Sequence, residues 1–159
     1  MSTIRVAWGG GTGPTEMAAY DAALAAAGIE DYNLVTVSSV VPADAHLEVV
    51  GEAPDLGPVG NRLTVVQGRA DRAPGADAPA VAGLGWARSR SGRGLFYEAT
   101  GTDTEAVRAE IEAGLAAGRD LRDWAFEDED VLVRETPAHA EAHTTQVVVA
   151  AYGQSEPIL

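Results

Sequence analysis

GLFYEATGTDTEAVRAEIEAGLAAG, residues 94–118, holds two patterns in immediate succession. GLFYEATG (94–101) is an apolar and aromatic run that reads as a buried strand. Thr102 and Glu105 stand at capping-box spacing and open a helix. Along it Val107, Ile111 and Leu115 recur every four residues, giving one apolar stripe, and Gly118 is the expected stop after about Ala117. A strand handed directly to an amphipathic helix needs a sheet for that helix to cover.

The rest of the chain supplies the strands. TIRVAW (3–8) reads as a short strand, GGGTG as a loop, and Pro14 to about Ala27 as a helix. Pro14 suits a first helical position, Glu16 lies in the electropositive first turn, and Gly28 can take the left-handed conformation that ends a helix. NLVTVS (33–38) and AHLEVV (45–50) are strand-like, separated by Pro42. From Ala53 to Gly94 prolines and glycines interrupt the pattern, with strands expected near 62–68 and 80–87 between exposed loops. Two further strands are expected near 130–135 and 142–152. Strands outnumber helices, so the fold class is α+β, with one sheet or two covered by two main helices. A chain of 159 residues fits one domain, 1–159, large enough for a single well-packed core.

Composition removes several kinds of chemistry. The chain has no cysteine and no lysine, so disulfides, thiolate metal sites, a cysteine nucleophile and a lysine Schiff base are all excluded. Acidic residues number 24 against 11 basic ones, a net charge of −13, which argues against nucleic acid as a partner. The excess is spread along the whole chain; it fits a salt-rich cytoplasm, or a field that attracts a cationic substrate. No stretch is long and apolar enough to span a bilayer, and MSTIRVAWGGG lacks the pattern of a signal peptide, so a cytoplasmic location is expected.

Three polar features stand in apolar company. Asp21 lies on the same helical stripe as Met17 and Leu24, either as a helix-edge residue that reaches solvent or pairs with an arginine, or as a receptor for a cation, above all a guanidinium. Glu98 interrupts a strand; it either faces water or is buried, and burial would leave a protonated acid near neutrality. Ser38-Ser39 ends the strand-like run 33–38 ahead of Pro42. The pair reads as an ordinary turn. Alternatively, the Ser39 hydroxyl attacks the Ser38 carbonyl to give an ester, which eliminates to dehydroalanine and hydrolyses to a pyruvoyl ketone with loss of ammonia. That route needs a constrained turn and a donor for the oxyanion. Two other motifs carry little. GGGTGPT (9–15) lacks the Gly-Lys-Ser/Thr ending of a phosphate loop, and His139 and His143 enter a strand rather than share a helix face, so no metal site is expected.

Taken together, GPTEMAAYDAALAAAGI (13–29), YNLVTVSSVVP (32–42) and GLFYEATG (94–101) resemble the pyruvoyl-dependent arginine decarboxylases, with fainter similarity through the second helix and AEAHTTQVVVAA (140–151). The resemblance implies cleavage between Ser38 and Ser39 into fragments 1–38 and 39–159, with the pyruvoyl group formed from Ser39 as a covalent cofactor. It implies that Glu98 protonates the substrate carbon, that Asn33 positions the reacting group, and that Asp21 helps bind the guanidinium. The implied fold is a four-layer αββα sandwich, assembled as a trimer with sites at subunit boundaries, and the implied reaction is arginine to agmatine and carbon dioxide. A decarboxylase of another cationic amino acid, or an uncut acidic assembly protein of the same fold without catalytic function, are the alternatives.

Overall fold

A computed structural model describes residues 2–159. The chain runs β1 (Thr3–Gly13), α1 (Glu16–Ala27), β2 (Asn33–Thr36), β3 (Val40–Val41), β4 (His46–Gly51), β5 (Arg62–Arg72), β6 (Ala80–Ser89), β7 (Gly94–Gly101), α2 (Thr104–Asp120), β8 (Phe126–Thr136) and β9 (His143–Tyr152). One sheet has five strands in the order β2-β5-β9-β1-β4, and the other has four in the order β3-β7-β6-β8.

Three apolar clusters define the layers. Leu24, Ala27, Leu63, Val65, Val147 and Val149 join α1 to the outer face of the five-stranded sheet. Ile4, Val6, Val66, Leu84, Phe96 and Val148 fill the space between the sheets. Val81, Leu95, Val107, Ile111 and Leu115 join the four-stranded sheet to α2. Three interfaces between four layers make the αββα sandwich that the resemblance implied. Each fully buried valine, leucine or isoleucine contributes roughly 1.5–3 kcal/mol of transfer free energy, so the layers hold together by alternation of apolar residues along each strand.

Several boundaries differ from the sequence reading, each for a physical reason. GGGTG is strand rather than loop: β1 continues to Gly13 and pairs with β9 as far as Gly13 opposite His143. The glycines are there because α1 lies directly on this strand. A Cβ on Gly11 would stand 2.5 Å from the Ala23 nitrogen, and one on Gly13 would stand 2.7 Å from the Ala19 nitrogen. Pro14 precedes the helix instead of starting it; Thr15 is the N-cap, and its hydroxyl accepts from the Ala18 N–H at 3.0 Å. Gly28 ends α1 in the left-handed region, at φ 81°, as expected. The cap of α2 is Asp103, whose carboxylate accepts from the Ala106 N–H at 2.9 Å, so the Thr102–Glu105 box is not used. α2 then continues through Gly118 to Asp120.

β8 starts four residues earlier than expected, because the acidic run Glu127–Asp130 is tolerated on the exposed edge of the sheet, where charge also discourages pairing with another chain. The reading of β2 as running to Ser38 is also shortened: the strand ends at Thr36 because the chain there leaves one sheet for the other.

The helix–strand contact at β1 gives a direct test. Gly11→Ala is expected to force α1 off the sheet and to cost at least about 1 kcal/mol, within the range for overpacked cores. Urea unfolding at high salt measures it, and an unchanged midpoint would show that the close approach is not what the glycine serves.

Candidate active site

The site is built where the main chain crosses between sheets. On the near side the Val37 N–H donates to the Val65 carbonyl at 3.0 Å, extending the pairing of β2 with β5. On the far side the Ser39 carbonyl accepts from the Phe96 N–H at 2.8 Å, which ties it to β7 in the other sheet. The Ser38–Ser39 peptide is therefore the crossing itself. It is folded into a tight turn: the Val40 N–H donates to the Ser38 carbonyl at 2.9 Å, a bond from residue i+2 to residue i. No described residue other than glycine has positive φ, so this is a γ-turn of the inverse kind. Its N–H rests on the same carbonyl that a Ser39 hydroxyl would attack.

Glu98 comes to this turn from β7. The Ser39 Oγ donates to Glu98 Oε2 at 3.2 Å. The strand brings it there because β3 covers only the Gly94–Leu95 end of β7, leaving the edge beyond it unpaired. The expectation of a buried β7 is corrected accordingly: Leu95, Phe96 and Ala99 are buried, whereas Tyr97 and Glu98 are exposed. The desolvation that the sequence reading offered for Glu98 is thus absent within one chain. Along this open edge lies a cavity of about 530 Å³, walled by Ser38, Ser39 and Glu98 on one side and by α2 residues and Arg122 on the other. Glu98 is the one carboxylate among its lining residues.

The other sequence candidates lie elsewhere. Asp21 is exposed on α1 in a separate shallow concavity with Met17, Tyr20 and Leu24. Met17 is also largely exposed; the buried stripe of α1 is Ala19, Ala23, Leu24 and Ala27, because the helix packs through small residues onto β1. Tyr20 beside Asp21 is held by its hydroxyl on Gln67, at 3.0 Å, and by the Arg69 guanidinium 3.8 Å above its ring. Asn33 starts β2, roughly 16 Å of extended chain before Ser38, and its amide donates to the Gly60 carbonyl at 2.8 Å. Neither Asp21 nor Asn33 lines the cavity that contains Ser39. Among the described residues no group of three or more His, Cys, Asp or Glu side chains is arranged to hold a metal, and His139 uses its Nδ1 to accept from the Glu141 and Ala142 N–H groups.

Sequence reasoning missed Tyr152. It ends β9, and its hydroxyl donates to the Val40 carbonyl at 2.8 Å while its ring packs edge-on against Phe96. Burial, and then the charge of Glu98, push its phenol up to about 12. Nothing in the run HTTQVVVAAY marks that residue, because the contact spans 112 positions.

Residues 3–157 match the family model for pyruvoyl-dependent arginine decarboxylase. A pyruvoyl-dependent arginine decarboxylase of Halobacterium salinarum is 51% identical over 160 residues, covering 99% of this chain and 98% of the relative. Proteins of the same description from Pyrococcus abyssi and Thermococcus kodakarensis are 35% and 34% identical, over 82% and 80% of this chain and 85% and 83% of their own lengths.

The raised phenol of Tyr152 has a measurable sign. Its folded pKa lies above the ordinary value of 10, so its contribution to stability is present below about pH 10 and is lost as the pH climbs through about 12. Ultraviolet titration of the folded protein is expected to find one of the four tyrosines ionising near pH 12, and Tyr152→Phe is expected to remove that step and flatten the alkaline fall in stability. Four tyrosines titrating together near pH 10 would contradict it.

Proposed function

We propose that this chain, which belongs to the pyruvoyl-dependent arginine decarboxylase family, cuts its own backbone between Ser38 and Ser39 and decarboxylates arginine to agmatine. The observation that carries the reading is the hydrogen bond from Ser39 Oγ to Glu98 at the crossing between the sheets.

The residues present fit the formation of a pyruvoyl group. Glu98 accepts the hydroxyl proton as Ser39 Oγ bonds to the Ser38 carbonyl carbon, and the Val40 N–H stabilises charge on the Ser38 oxygen. The C–N bond breaks and the Ser39 nitrogen takes up a proton, leaving an ester. Loss of the Ser39 α-proton expels the Ser38 carboxylate from Cβ and leaves dehydroalanine. One water is then consumed and one ammonia released, so the ketone begins fragment 39–159 and a carboxylate ends fragment 1–38. The bound group supplies an electrophile for the substrate amine and a sink for the electrons left by carbon dioxide.

This chain's side chains do the rest. Glu98, already within hydrogen-bond reach of residue 39, holds the proton destined for the former α-carbon of the substrate. The cavity along β7 receives the substrate, but its single carboxylate is committed to that proton. A guanidinium needs another acceptor, and Asp21 is suited to it by a bidentate pair. Asp21 does not line the cavity of its own chain, so in this reading it serves the site of a neighbouring copy, in a trimer with sites at subunit boundaries. Asn33 anchors the strand leading into the cut through Gly60. No helix among the described residues is long and apolar enough to cross a membrane, and the spread acidic charge suits a salt-rich cytoplasm, where we place the enzyme.

Denaturing gels and intact mass are expected to show fragments of 38 and 121 residues, and Ser39→Ala is expected to remain a single chain. A parent chain that stays whole and releases carbon dioxide from no amino acid would establish the uncut assembly protein instead. Glu98→Gln keeps the shape but cannot take a proton. Turnover per pyruvoyl group is expected to fall by roughly 10²–10⁴-fold, with the cut itself also slowed; undiminished turnover would remove Glu98 from protonation, and an unslowed cut would remove it from cleavage.

A further inference from the structure

Tyr152 takes no part in the chemistry above, yet it holds the residue next to the cut. β9 belongs to the five-stranded sheet and β3 to the four-stranded one, so the Tyr152 hydroxyl bond to the Val40 carbonyl bridges the two sheets one residue beyond Ser39. Val40 is thereby fixed at both ends of its backbone: its carbonyl is held by the phenol, and its N–H lies on the Ser38 oxygen. A γ-turn closed by one backbone bond has little stability of its own. If Val40 rotates, the Ser38 carbonyl loses its donor and the Ser39 hydroxyl loses its aim. The ring of Tyr152 is itself fixed against Phe96, with centroids 6.1 Å apart, and Phe96 supplies the N–H that holds the Ser39 carbonyl. With its pKa pushed up to about 12, the phenol is protonated near neutrality and donates where a carboxylate could act as base.

We propose that Tyr152 is a positioning residue for self-cleavage: its hydroxyl clamps Val40 and so holds the Ser38–Val40 turn in the geometry from which Ser39 attacks. This rests on the reading that the chain cuts itself at Ser38–Ser39.

The test follows cleavage of the freshly synthesised full chain at high salt, reading the appearance of the 121-residue fragment (159 minus 38) on denaturing gels. Tyr152→Phe is compared with the parent and with Tyr32→Phe, which removes a hydroxyl of the same kind that is bonded to the Leu56 N–H and the Gly57 carbonyl instead of the turn and does not line the cavity beside Ser39. Tyr152→Phe is expected to slow cleavage at least tenfold, while Tyr32→Phe cleaves within about twofold of the parent. On an uncut Ser39→Ala background, Tyr152→Phe is expected to leave the thermal midpoint within about 4 °C, the shift of a single modest interaction in a chain of this size. Cleavage of Tyr152→Phe within twofold of the parent overturns the inference, as does an equal slowing by Tyr32→Phe, which would make the effect one of general stability. A parent that never cleaves overturns the self-cleavage reading and the inference together, whereas a parent that cleaves beside an unimpaired Tyr152→Phe overturns the inference alone.

Discussion

The arrangement of the site depends on one passage of main chain between two sheets. Val37 is hydrogen-bonded into one sheet and Ser39 into the other, so the peptide between Ser38 and Ser39 cannot relax toward either. A short connection under such opposing anchors has few conformations open to it, and the one it adopts is a turn whose own N–H rests on the Ser38 carbonyl. The layers on either side exist for the usual reason, burial of apolar faces, but their separation sets the span of this crossing. Shifting one sheet against the other would change the turn before it changed any side chain of the site.

Much of the architecture was legible because strand and helix periods differ. The buried stripe Val107, Ile111, Leu115 and the left-handed stop at Gly28 are local facts of the sequence, and both hold in three dimensions. The glycine run 9–13 misled because glycine has two uses. Its freedom in φ suggests a loop, but here its lack of a side chain admits α1, and only the neighbour across the interface reveals which property matters. Asp103 displaced Thr102 as helix cap by one position, a choice between two competent residues that local pattern does not settle.

The site was legible in part. Ser39 and Glu98 are 59 positions apart, and their meeting follows from β3 lying beside β7, a pairing that periodicity along the chain does not reveal. Tyr152 had no signal at all, since a tyrosine ending a strand of valines is unremarkable until the far end of its hydrogen bond is known. The apolar neighbours of Glu98 leave both burial and a water-facing position open, and the structure decides for exposure. The edge of β7 is left open beside Glu98, and Asp21 is exposed on α1 in a separate concavity.

β1 occupies an inner position of its sheet, flanked by β4 on one side and β9 on the other. Both flanking strands lie after residue 39, whereas β1 and the whole of α1 lie before it. Breaking the backbone at the crossing therefore leaves two polypeptides knitted through a shared sheet, with no surface along which they could part intact. Nor could the proposed break be resealed, since the nitrogen that once joined them would depart as ammonia. Maturation by the proposed cut would turn a unimolecular folding problem into a bimolecular one, so the chain would have to reach its final shape while still whole, and recovery after denaturation would become a matter of encounter and concentration.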